Sequence, residues 1–542
     1  MLALIIIFSK ADTEASWESD VSAINLSLFH PFSTEEKRLE VLKKINLTIS
    51  DLEFESKSGP IGGSLRYTSP QVFLNINSLS FKNSRSQSSG GSVNLDTSYD
   101  IILNNCSYNN SSAVSTGGSV HASSTNSIII QYSRFFNSSA GNNGGSIYSM
   151  SNNAVILTDS IFNTTKGQNG GSAYVNTAKC NISKTWFENS EATNGGGSLF
   201  IQGLSSNQFY EVLDCFFGEC KSSQNGGAVH IYSSSYSITK IYDCTFYSCS
   251  TNGGHGGALY IATQSNSIGC DLQKICFSQC MINSTSSAYY GTALYVSSST
   301  QDYLLSFDQL TFSNCGVLSV SQRTVFLYNG QQLAQCLNFS KCDSQEMSGF
   351  YLYPYFSSTY MFFNIVNCSS TTSCVVYIYY QSGQIDVSKM NTIYNSCNSA
   401  VIRERGSTNM IIIKFSVFYG NIGTLFIIDS QYQMLRNCYI VHSGTLHSGF
   451  NFDLCVTTLS TSVLTPTHII THYSTYMCQT PYELGVLEVP CQTMPEGIYS
   501  VECPTNPPIP TTCDIHTADA AFNIVSISSI IRLMISSLIN IF

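Results

Sequence analysis

The sequence predicts an all-β protein built as a single-stranded parallel β-helix, and three observations carry that prediction. A diglycine recurs about every 26 to 30 residues through the first half of the 542-residue chain. A second, mostly aromatic mark has the same period and continues to about residue 440. No helical pattern separates the units, so stacked strands are expected rather than alternating strands and helices.

The diglycines predict one tight corner per unit, because glycine reaches positive φ at little steric cost. Ser or Ala usually follows, and then an aliphatic residue that we expect to face inward. The pairs are Gly62-Gly63, Gly90-Gly91, Gly117-Gly118, Gly144-Gly145, Gly170-Gly171, Gly196-Gly197, Gly226-Gly227 and Gly256-Gly257. The inward residues are Val93, Val120, Ile147, Leu199, Val229, Leu259 and Leu294. Roughly 14 coils at a strand spacing of about 4.8 Å give a rod about 65 Å long.

The aromatic mark is an aromatic or aliphatic residue followed three positions later by Ser, Thr or Cys. We expect its first members to stack inside the solenoid as one column. The pairs are Phe81/Ser84, Tyr108/Ser111, Phe136/Ser139, Phe162/Thr165, Phe187/Ser190, Phe217/Cys220, Phe246/Cys249, Phe277/Cys280, Phe312/Cys315, Phe339/Cys342, Ile365/Cys368 and Tyr394/Cys397, with Phe54 before them and Phe418 and Leu435 after.

The rod is predicted to span residues 58–440, with different segments at each end. Residues 1–11 resemble the apolar part of a signal peptide, or alternatively a buried first strand. Residues 30–57 are charged and amphipathic, which predicts a short helical cap or a partner-binding helix. Residues 441–517 are rich in Cys and Pro and predict a disulfide-stapled stalk. Residues 520–542 form an apolar stretch long enough to span a membrane, or a lipid-anchor signal or C-terminal cap.

Composition excludes one class of partner and favours a compartment. The net charge is −10 and only 11% of residues are charged, which argues against nucleic acid. Many Asn-x-Ser/Thr sites fall in predicted turns and favour a secreted, glycosylated protein. These glycosylation candidates are Asn25, Asn46, Asn105, Asn109, Asn110, Asn137, Asn163, Asn181, Asn283, Asn338 and Asn367.

Cysteines occupy one slot of successive units in the second half of the repeat region. A straight column of thiols predicts either buried free thiols or some disulfides between coils. A metal site is disfavoured, because ligands on one line cannot surround an ion tetrahedrally. The column is Cys220, Cys249, Cys280, Cys315, Cys342, Cys368 and Cys397, with a shorter one at Cys215 and Cys244.

Two features resemble parts of catalytic sites. Gly254-His255-Gly256 matches a tripeptide of pectin-degrading β-helix enzymes, but no cluster of aspartates accompanies it. Asp214 and Asp243 occupy the same slot one coil apart, and a like-charge pair there would raise one pKa. Exposed carboxylates at a turn or strand edge are the simpler interpretation of both aspartates, so the sequence predicts no catalytic residue.

An aromatic stripe is predicted on the outer face, at the position after each inward aliphatic residue. Aromatic side chains one coil apart would offer a surface for glycans or another protein. The alternative is that stacking between coils only stabilises the sheet. The stripe follows Asn94 and comprises His121, Tyr148, Tyr174, Phe200, His230, Tyr260 and Tyr295.

The paired motifs resemble the polymorphic-outer-membrane-protein (Pmp-like) repeat, most clearly at Phe136 to Ile147, Phe162 to Ala173, Phe187 to Leu199, Phe217 to Val229 and Phe246 to Leu259. Such repeats occur in chlamydial autotransporter adhesins and in surface proteins of trichomonad-type protists. The resemblance implies a right-handed, pectin-lyase-like β-helix and a role in adhesion, and it carries over no catalytic residue. The sequence shows glycosylation-type sites and no C-terminal barrel pattern, which makes the protist type the closer resemblance.

These observations favour a non-enzymatic cell-surface protein without cofactor or metal. Its expected partners are glycans or proteins on another cell, and the membrane through its C-terminal segment, but not nucleic acid. A secreted protein is the alternative localisation. A secreted pectin-lyase-like carbohydrate-active enzyme is the alternative function, and a degenerate protein without a present ligand is a third.

Overall fold

The computed structural model describes residues 45–449 except 70–71, 204–206, 235, 265–268, 285–288, 319–321, 407–409, 430–431 and 437, together with a few short strands outside that range. These residues form a parallel β-solenoid of about 13 turns and contain no helix. The predicted fold class is therefore confirmed.

Each coil contributes strands to ladders in which every strand pairs in parallel with its equivalent one coil away. The first ladder, which follows the diglycines, contains Leu65–Ser69, Val93–Thr97, Val120–Ser124, Ile147–Thr158, Ala173–Ser183, Leu199–Gln202, Val229–Ser233, Leu259–Thr263, Leu294–Ser298, Arg323–Tyr328, Met347–Tyr353, Cys374–Tyr380, Ser396–Gly406, Ile422–Asp429 and His447–Gly449. The second contains Ala23–Asn25, Ile45–Ser50, Val72–Asn77, Ile101–Asn104, Ser127–Gln131, Gln208–Leu213, Ser237–Tyr247, Gly269–Ser278, Leu304–Ser313, Gln331–Ser340, Ser358–Met361, Ile385–Ser388, Met410–Lys414, Tyr432–Arg436 and Phe452–Cys455. It shares Ile147–Thr158 and Ala173–Ser183 with the first.

A third ladder carries the aromatic mark, and a fourth consists of two-residue strands before the diglycine corner. The third contains Glu53–Glu55, Ser80–Lys82, Ser107–Asn109, Arg134–Phe136, Ile161–Asn163, Trp186–Glu188, Phe216–Gly218, Asn364–Val366, Asn391–Ile393, Val417–Tyr419, Tyr439–Val441 and Thr458–Ser460. The fourth contains Ser58–Gly59, Arg85–Ser86, Ser112–Ala113, Ser139–Ala140, Lys166–Gly167, Glu191–Ala192, Lys221–Ser222, Ser250–Thr251 and Met281–Ile282. In later coils a similar place is occupied by Asp343–Ser344 and Ser369–Ser370.

The two glycines of each corner are required for different reasons. The first has positive φ, for example 63° at Gly117. The second lies against the next coil, so that a Cβ on Gly118 would stand 1.9 Å from the carbonyl oxygen of Gly145. The corner therefore needs glycine twice, once for the backbone angle and once for the approach of two backbones.

The interior contains two kinds of apolar column. The predicted aliphatic residues after the diglycines are all buried, which confirms that they face inward. The aromatic column runs in register through Phe54, Phe81, Tyr108, Phe135, Phe162, Phe187, Phe217, Phe246, Phe277, Phe312 and Phe339. Neighbouring rings lie 4.6 to 5.0 Å apart.

Three predicted members of that column are wrong. Leu435 pairs with Ile413 in the second ladder, and Ile440 follows Phe418 in the column. Phe135 occupies the interior position, and Phe136 is 37% exposed. Ile365 is followed in register by Thr392, whereas Tyr394 is 47% exposed. Successive side chains of a strand point to opposite faces, so the error of one residue at Phe136 moved the predicted side chain from the core to the solvent.

The cysteine column is buried, and its described members carry free thiols, in agreement with stacked thiols rather than disulfides between coils. Burial raises the pKa of Cys249 and Cys342 well above the usual thiol value. The column ends at Cys368, since Asn395 rather than Cys397 lies beside it in the next coil. Outside this column, Cys276 and Cys336 are disulfide-bonded.

Parallel pairing extends past both predicted boundaries of the rod. Ile45–Ser50 and Glu53–Glu55, within the predicted cap, are strands of the solenoid. Tyr439–Val441 pairs with Thr458–Ser460, inside the predicted stalk. The predicted membrane segment, most of the cap helix and stalk, and the predicted signal peptide apart from the short strand Ile6–Ile7 lie outside the described residues.

The chain divides into two compact units. One comprises Met1–Val463 with Tyr473–Glu483 and contains the solenoid. The other comprises Leu464–His472 with Leu484–Phe542, in which Thr467–His468 pairs antiparallel with Leu487–Glu488. Within the described part of the chain, no helix has the length and apolar character needed to cross a bilayer.

Candidate functional site: an aromatic stripe on the outer face

The predicted aromatic stripe lies in register on the first ladder. Each member pairs with its equivalent in the next coil, from Asn94 and His121 through to Tyr295. The column then continues through Phe326, Tyr351 and Tyr377 and ends at Arg403. The sequence analysis missed this extension because the diglycines, which supplied the reference point in each unit, stop after Gly257.

The rings of the stripe stack on one another along the rod. Neighbouring centroids lie 4.4 to 5.4 Å apart from His121 to Tyr377. Most pairs are nearly parallel, although His230 is tilted by 59° from Tyr260. Each ring face is therefore covered by a neighbouring ring, and ring edges and phenol groups form the accessible part of the stripe.

Burial and hydrogen bonding keep the phenols as donors. Tyr174 and Tyr377 are 8% and 9% exposed, and most of the other tyrosines are half-buried. Burial raises the pKa of Tyr174 to about 12 and raises that of Tyr148 as well. The Tyr174 hydroxyl donates a 2.8 Å hydrogen bond to Gln202 Oε1. At neutral pH the stripe thus presents protonated hydroxyls in three pairs of neighbouring coils, Tyr148/Tyr174, Tyr260/Tyr295 and Tyr351/Tyr377, separated by rings without a hydroxyl.

The two histidines of the stripe are neutral parts of the stack. Burial lowers the pKa of His121 to about 4 and that of His230 to about 3. Thr116 Oγ1 lies 2.8 Å from His121 Nδ1. Both side chains therefore act at neutral pH as uncharged aromatic rings, which fits the stabilising role of the stripe.

A second aromatic column runs beside the stripe in the later coils. Tyr328 and Tyr353 stack with centroids 4.7 Å apart, and Tyr379 lies 4.8 Å from Tyr353 with its ring tilted by 57°. Their rings lie 6.1 to 6.5 Å from those of Phe326, Tyr351 and Tyr377 in the same strands. These six rings form a platform two side chains wide, which we call the aromatic platform.

Arginines border the aromatic platform. The Arg323 guanidinium lies 4.0 Å from the Tyr290 ring and 4.1 Å from the Tyr351 ring. Arg403 lies 5.7 Å from the Tyr377 ring, and Arg405 lies 5.6 Å from that of Tyr379. Cation–π contacts of this kind hold guanidinium groups in fixed positions on an aromatic surface.

The features that resembled catalytic sites have structural roles. The His255 ring accepts a 3.0 Å hydrogen bond from the Tyr290 backbone and stacks 4.6 Å from Tyr295. Asp214 and Asp243 are exposed and occupy corners with φ of 49° and 53°. Asp243 faces Lys274 at 3.9 Å. Aspartate tolerates this left-handed conformation better than most residues, which accounts for its presence at these corners.

A different carboxylate pair lies on the outer face of the second ladder. Asp271 accepts a 2.5 Å hydrogen bond from Tyr242 and bonds of 3.1 Å from Gln273. Asp308 pairs in register with Gln273, is 7% exposed and has one buried oxygen without a hydrogen-bond partner. Burial, aided by the charge of Asp271, raises the pKa of Asp308 to about 6. Sequence spacing gave no signal for this pair, because the two aspartates occupy different slots.

The glycosylation candidates differ in accessibility. Asn105, Asn109, Asn110, Asn137 and Asn283 are exposed, and Asn163, Asn181 and Asn367 are half-buried. Asn338 is 5% exposed, and its side-chain oxygen accepts a 2.7 Å hydrogen bond from Asn364 in the next coil. The side chains of Asn25 and Asn46 lie outside the described residues.

The described residues contain no group of three or more His, Cys, Asp or Glu side chains that would hold a metal ion. Comparisons with protein-family models, with curated proteins and with solved structures found no match to this chain.

Proposed function

We propose that this protein is a non-enzymatic, cell-surface β-helix whose aromatic stripe binds glycans or proteins of another cell. The observation that supports this most directly is the unbroken column of rings from His121 to Tyr377, which places phenol groups along one face. Pairs of phenol groups that recur along the stripe suit an extended or repetitive ligand. The covered ring faces favour recognition through hydroxyls over stacking on the rings.

The finer parts of the proposal rest on the sequence. A signal peptide at residues 1–11, glycans at the exposed Asn-x-Ser/Thr sites and an anchor at residues 520–542 would place the rod outside the cell. The Pmp-like repeat of the protist type is the family that we propose, and it supports adhesion as the role. Surface labelling of intact cells, with and without residues 520–542, tests the location and the anchor together.

Binding through the phenols is tested by removing hydroxyls while keeping the stacked rings. The variant Tyr148→Phe/Tyr174→Phe/Tyr260→Phe should bind cells at least tenfold more weakly, since each lost hydrogen bond costs about 0.5–1.5 kcal/mol. Its melting temperature should fall only slightly, because the internal hydrogen bond lost with the Tyr174 hydroxyl ends on the half-buried Gln202. Flow cytometry with the labelled full chain measures the binding.

The matched control is Tyr132→Phe, which removes a hydroxyl from a tyrosine that is 57% exposed and outside the stripe. This control should bind like the wild type. Unchanged binding of the triple variant would reject the stripe as the ligand surface and leave stabilisation as its role.

Asp271 and Asp308 support a second candidate, a carbohydrate-active enzyme. Two neighbouring carboxyl groups, of which Asp308 has a raised pKa, are suited to acid–base chemistry. Release of reducing ends or unsaturated sugars from acidic polysaccharides, abolished by Asp308→Asn, would establish this activity. Loss of activity in Asp214→Ala or Asp243→Ala, but not in Asp308→Asn, would assign it to the corner pair instead.

A further inference from the structure

The aromatic platform carries one more guanidinium group than carboxylate. Arg323 pairs with Glu346 at 3.4 Å, and Arg403 pairs with Asp429 at 2.8 Å. Arg405 is exposed and forms no ion pair within the described part of the chain. The protein has a net charge of −10, so an exposed arginine without an ion-pair partner is unusual on its surface. We therefore treat Arg405 as a candidate binding site for an anion.

The position of Arg405 is set by its neighbours. It pairs in register with Tyr379, and its guanidinium lies 5.6 Å from the centre of that ring. The next coil places Asp429 beside Arg405, but that carboxylate accepts hydrogen bonds of 3.0 and 2.8 Å from Nε and Nη2 of Arg403. Asp429 is thus engaged by the neighbouring arginine. Arg405 itself hydrogen-bonds the Tyr377 phenol, which leaves other N–H donors of its guanidinium for a ligand carboxylate.

The surroundings of Arg405 favour a hydroxyl-rich ligand over an apolar one. Tyr353 and Tyr379 lie 4.8 Å apart with their rings tilted by 57°, and both carry phenol hydroxyls. The Tyr353 hydroxyl accepts a hydrogen bond from Gln381 and keeps its own O–H as a donor. Burial raises the pKa of Tyr353, which keeps its hydroxyl protonated. A protein partner usually anchors apolar side chains in pockets, whereas a sugar offers hydroxyls to phenols and, where acidic, a carboxylate to arginine.

We propose that Arg405, together with Tyr353 and Tyr379, forms a subsite for the carboxylate-bearing sugar of an acidic glycan. This inference rests on the proposed function and specifies the ligand class of the same face. Arginine binds a carboxylate through two parallel hydrogen bonds, and the adjoining phenols bind the ring hydroxyls. The platform adds further phenols along the rod for the next sugars.

The test compares glycans that differ only in the acidic group. The full chain is titrated with 3′-sialyllactose and with oligogalacturonate, each against its methyl ester. The acidic member of at least one pair should bind on the order of tenfold more tightly, and added salt should reduce that preference. Equal affinity within both pairs would overturn the proposal.

Three variants assign the effect to the subsite. Arg405→Gln should abolish the preference for the acidic member, and Arg405→Lys should retain part of it, because a lysine keeps the charge but not the paired donors. Arg85→Gln, the same change at an exposed arginine of the fourth ladder, should leave the preference unchanged. A preference that survives Arg405→Gln, or disappears in Arg85→Gln, would overturn the assignment.

The outcomes separate this inference from the proposed function. If cell binding depends on Tyr148, Tyr174 and Tyr260 but acidic and neutral glycans bind alike, the stripe is a ligand surface and the Arg405 subsite is wrong. If a polyglutamate peptide displaces the glycan with equal affinity, the subsite recognises any carboxylate and the commitment to a glycan is wrong.

Discussion

The hydroxyl of Ser198 donates a 2.8 Å hydrogen bond to the thiol of Cys220 inside the solenoid. This contact lies where the interior changes from hydroxyl pairs to thiols. In earlier coils the Ser after the diglycine bonds to the Ser three positions after the aromatic mark, as in Ser92 with Ser111 at 2.7 Å. In later coils Ala228 or Ala258 follows the diglycine, and cysteines fill the facing column. The position after the diglycine and the position that faces it therefore change together, from two hydroxyl side chains in early coils to an alanine and a cysteine in later coils.

Breaking a hydroxyl pair should cost more than breaking the mixed contact. Ser92→Ala leaves the buried Ser111 hydroxyl without its 2.7 Å partner and should lower the free energy of unfolding by about 1–3 kcal/mol. Ser198→Ala should cost less, because a buried thiol tolerates an apolar neighbour. Urea unfolding of the purified full chain measures both changes.

The double variant Ser92→Ala/Ser111→Cys recreates the later pair in an early coil. It should recover much of the loss, giving a favourable coupling between the two positions. A double variant as unstable as the sum of its single changes would show that the two positions are independent.

The second glycine of a corner should be irreplaceable. Gly118→Ala places a Cβ 1.9 Å from the Gly145 carbonyl oxygen of the next coil, and only a backbone shift relieves that contact. Overpacking of this kind costs about 1–3 kcal/mol or more. Gly253→Ala is the matched control, because its Cβ would meet nothing closer than 3.6 Å. Equal melting temperatures for the two variants would contradict the role assigned to Gly118.

The histidines of the stripe should make the rod sensitive to acid. Burial lowers the pKa of His230 to about 3, so the unfolded chain binds more protons than the folded chain between that value and about 6.5. Stability should therefore fall as the pH falls through this window, by a few kcal/mol.

His230→Phe keeps a ring between Phe200 and Tyr260 and should flatten this dependence. Unfolding midpoints at pH 4 and pH 7 test it. The half-buried His442 provides the control, since His442→Gln removes a histidine outside the stripe. A wild-type slope in His230→Phe would place the acid sensitivity elsewhere.

The repeat made the fold and the start of the stripe predictable, because side chains one period apart must lie in one column once the strands stack in parallel. The prediction failed where two neighbouring residues fitted the rule equally well. Phe135 and Phe136 are each followed three positions later by serine, at Ser138 and Ser139. Only the packing of whole coils distinguishes the two registers.

In the late coils the three-residue interval of the aromatic mark is kept, but the residue types that occupy its two positions change. Thr392 and Asn395 occupy the slots predicted for Tyr394 and Cys397. Asn395 bonds through its amide to Asn421 in the next coil at 3.0 Å, an interaction that a thiol search misses. The Asp271–Asp308 pair was invisible for a related reason, since a diagonal contact between coils leaves no fixed interval in the sequence.

Corner geometry also supplies a structural reason for several Asn-x-Ser/Thr sites. Asn110 and Asn137 have φ of 56° and 49°, in the left-handed region that asparagine tolerates. Their amides bond to equivalent asparagines in the preceding coils, at 2.6 and 3.1 Å. The serine that follows each is buried, as Ser111 and Ser138. An asparagine at the corner followed by buried serines thus creates an Asn-x-Ser sequence for structural reasons, whether or not a glycan is attached.

Glu404 is the strongest departure from an apolar interior. Its side chain is fully buried between Ile378 and Ile428, its partners in register, and Gln433 donates a 2.6 Å hydrogen bond to its Oε1. Glu404 Oε2 and Gln433 Oε1 are both buried without a partner. Burial raises the pKa of Glu404 well above its usual value, so the folded chain holds the proton. A protonated Glu404 supplies the one donor that this acid–amide pair lacks.

The pH dependence from Glu404 runs opposite to that from His230. Because the folded pKa is raised, the stability contributed by the proton is complete below the unfolded value of about 4.3 and is lost progressively as the pH rises above it. Glu404→Gln replaces the acid with an amide that donates at every pH. It should match the wild type near pH 4.5 and exceed its free energy of unfolding at pH 8 by about 1–3 kcal/mol. The exposed Glu219→Gln should leave the pH profile unchanged. A Glu404→Gln variant that keeps the wild-type decline between pH 5 and 8 would show that Asp308, whose pKa is raised to about 6, carries the effect instead.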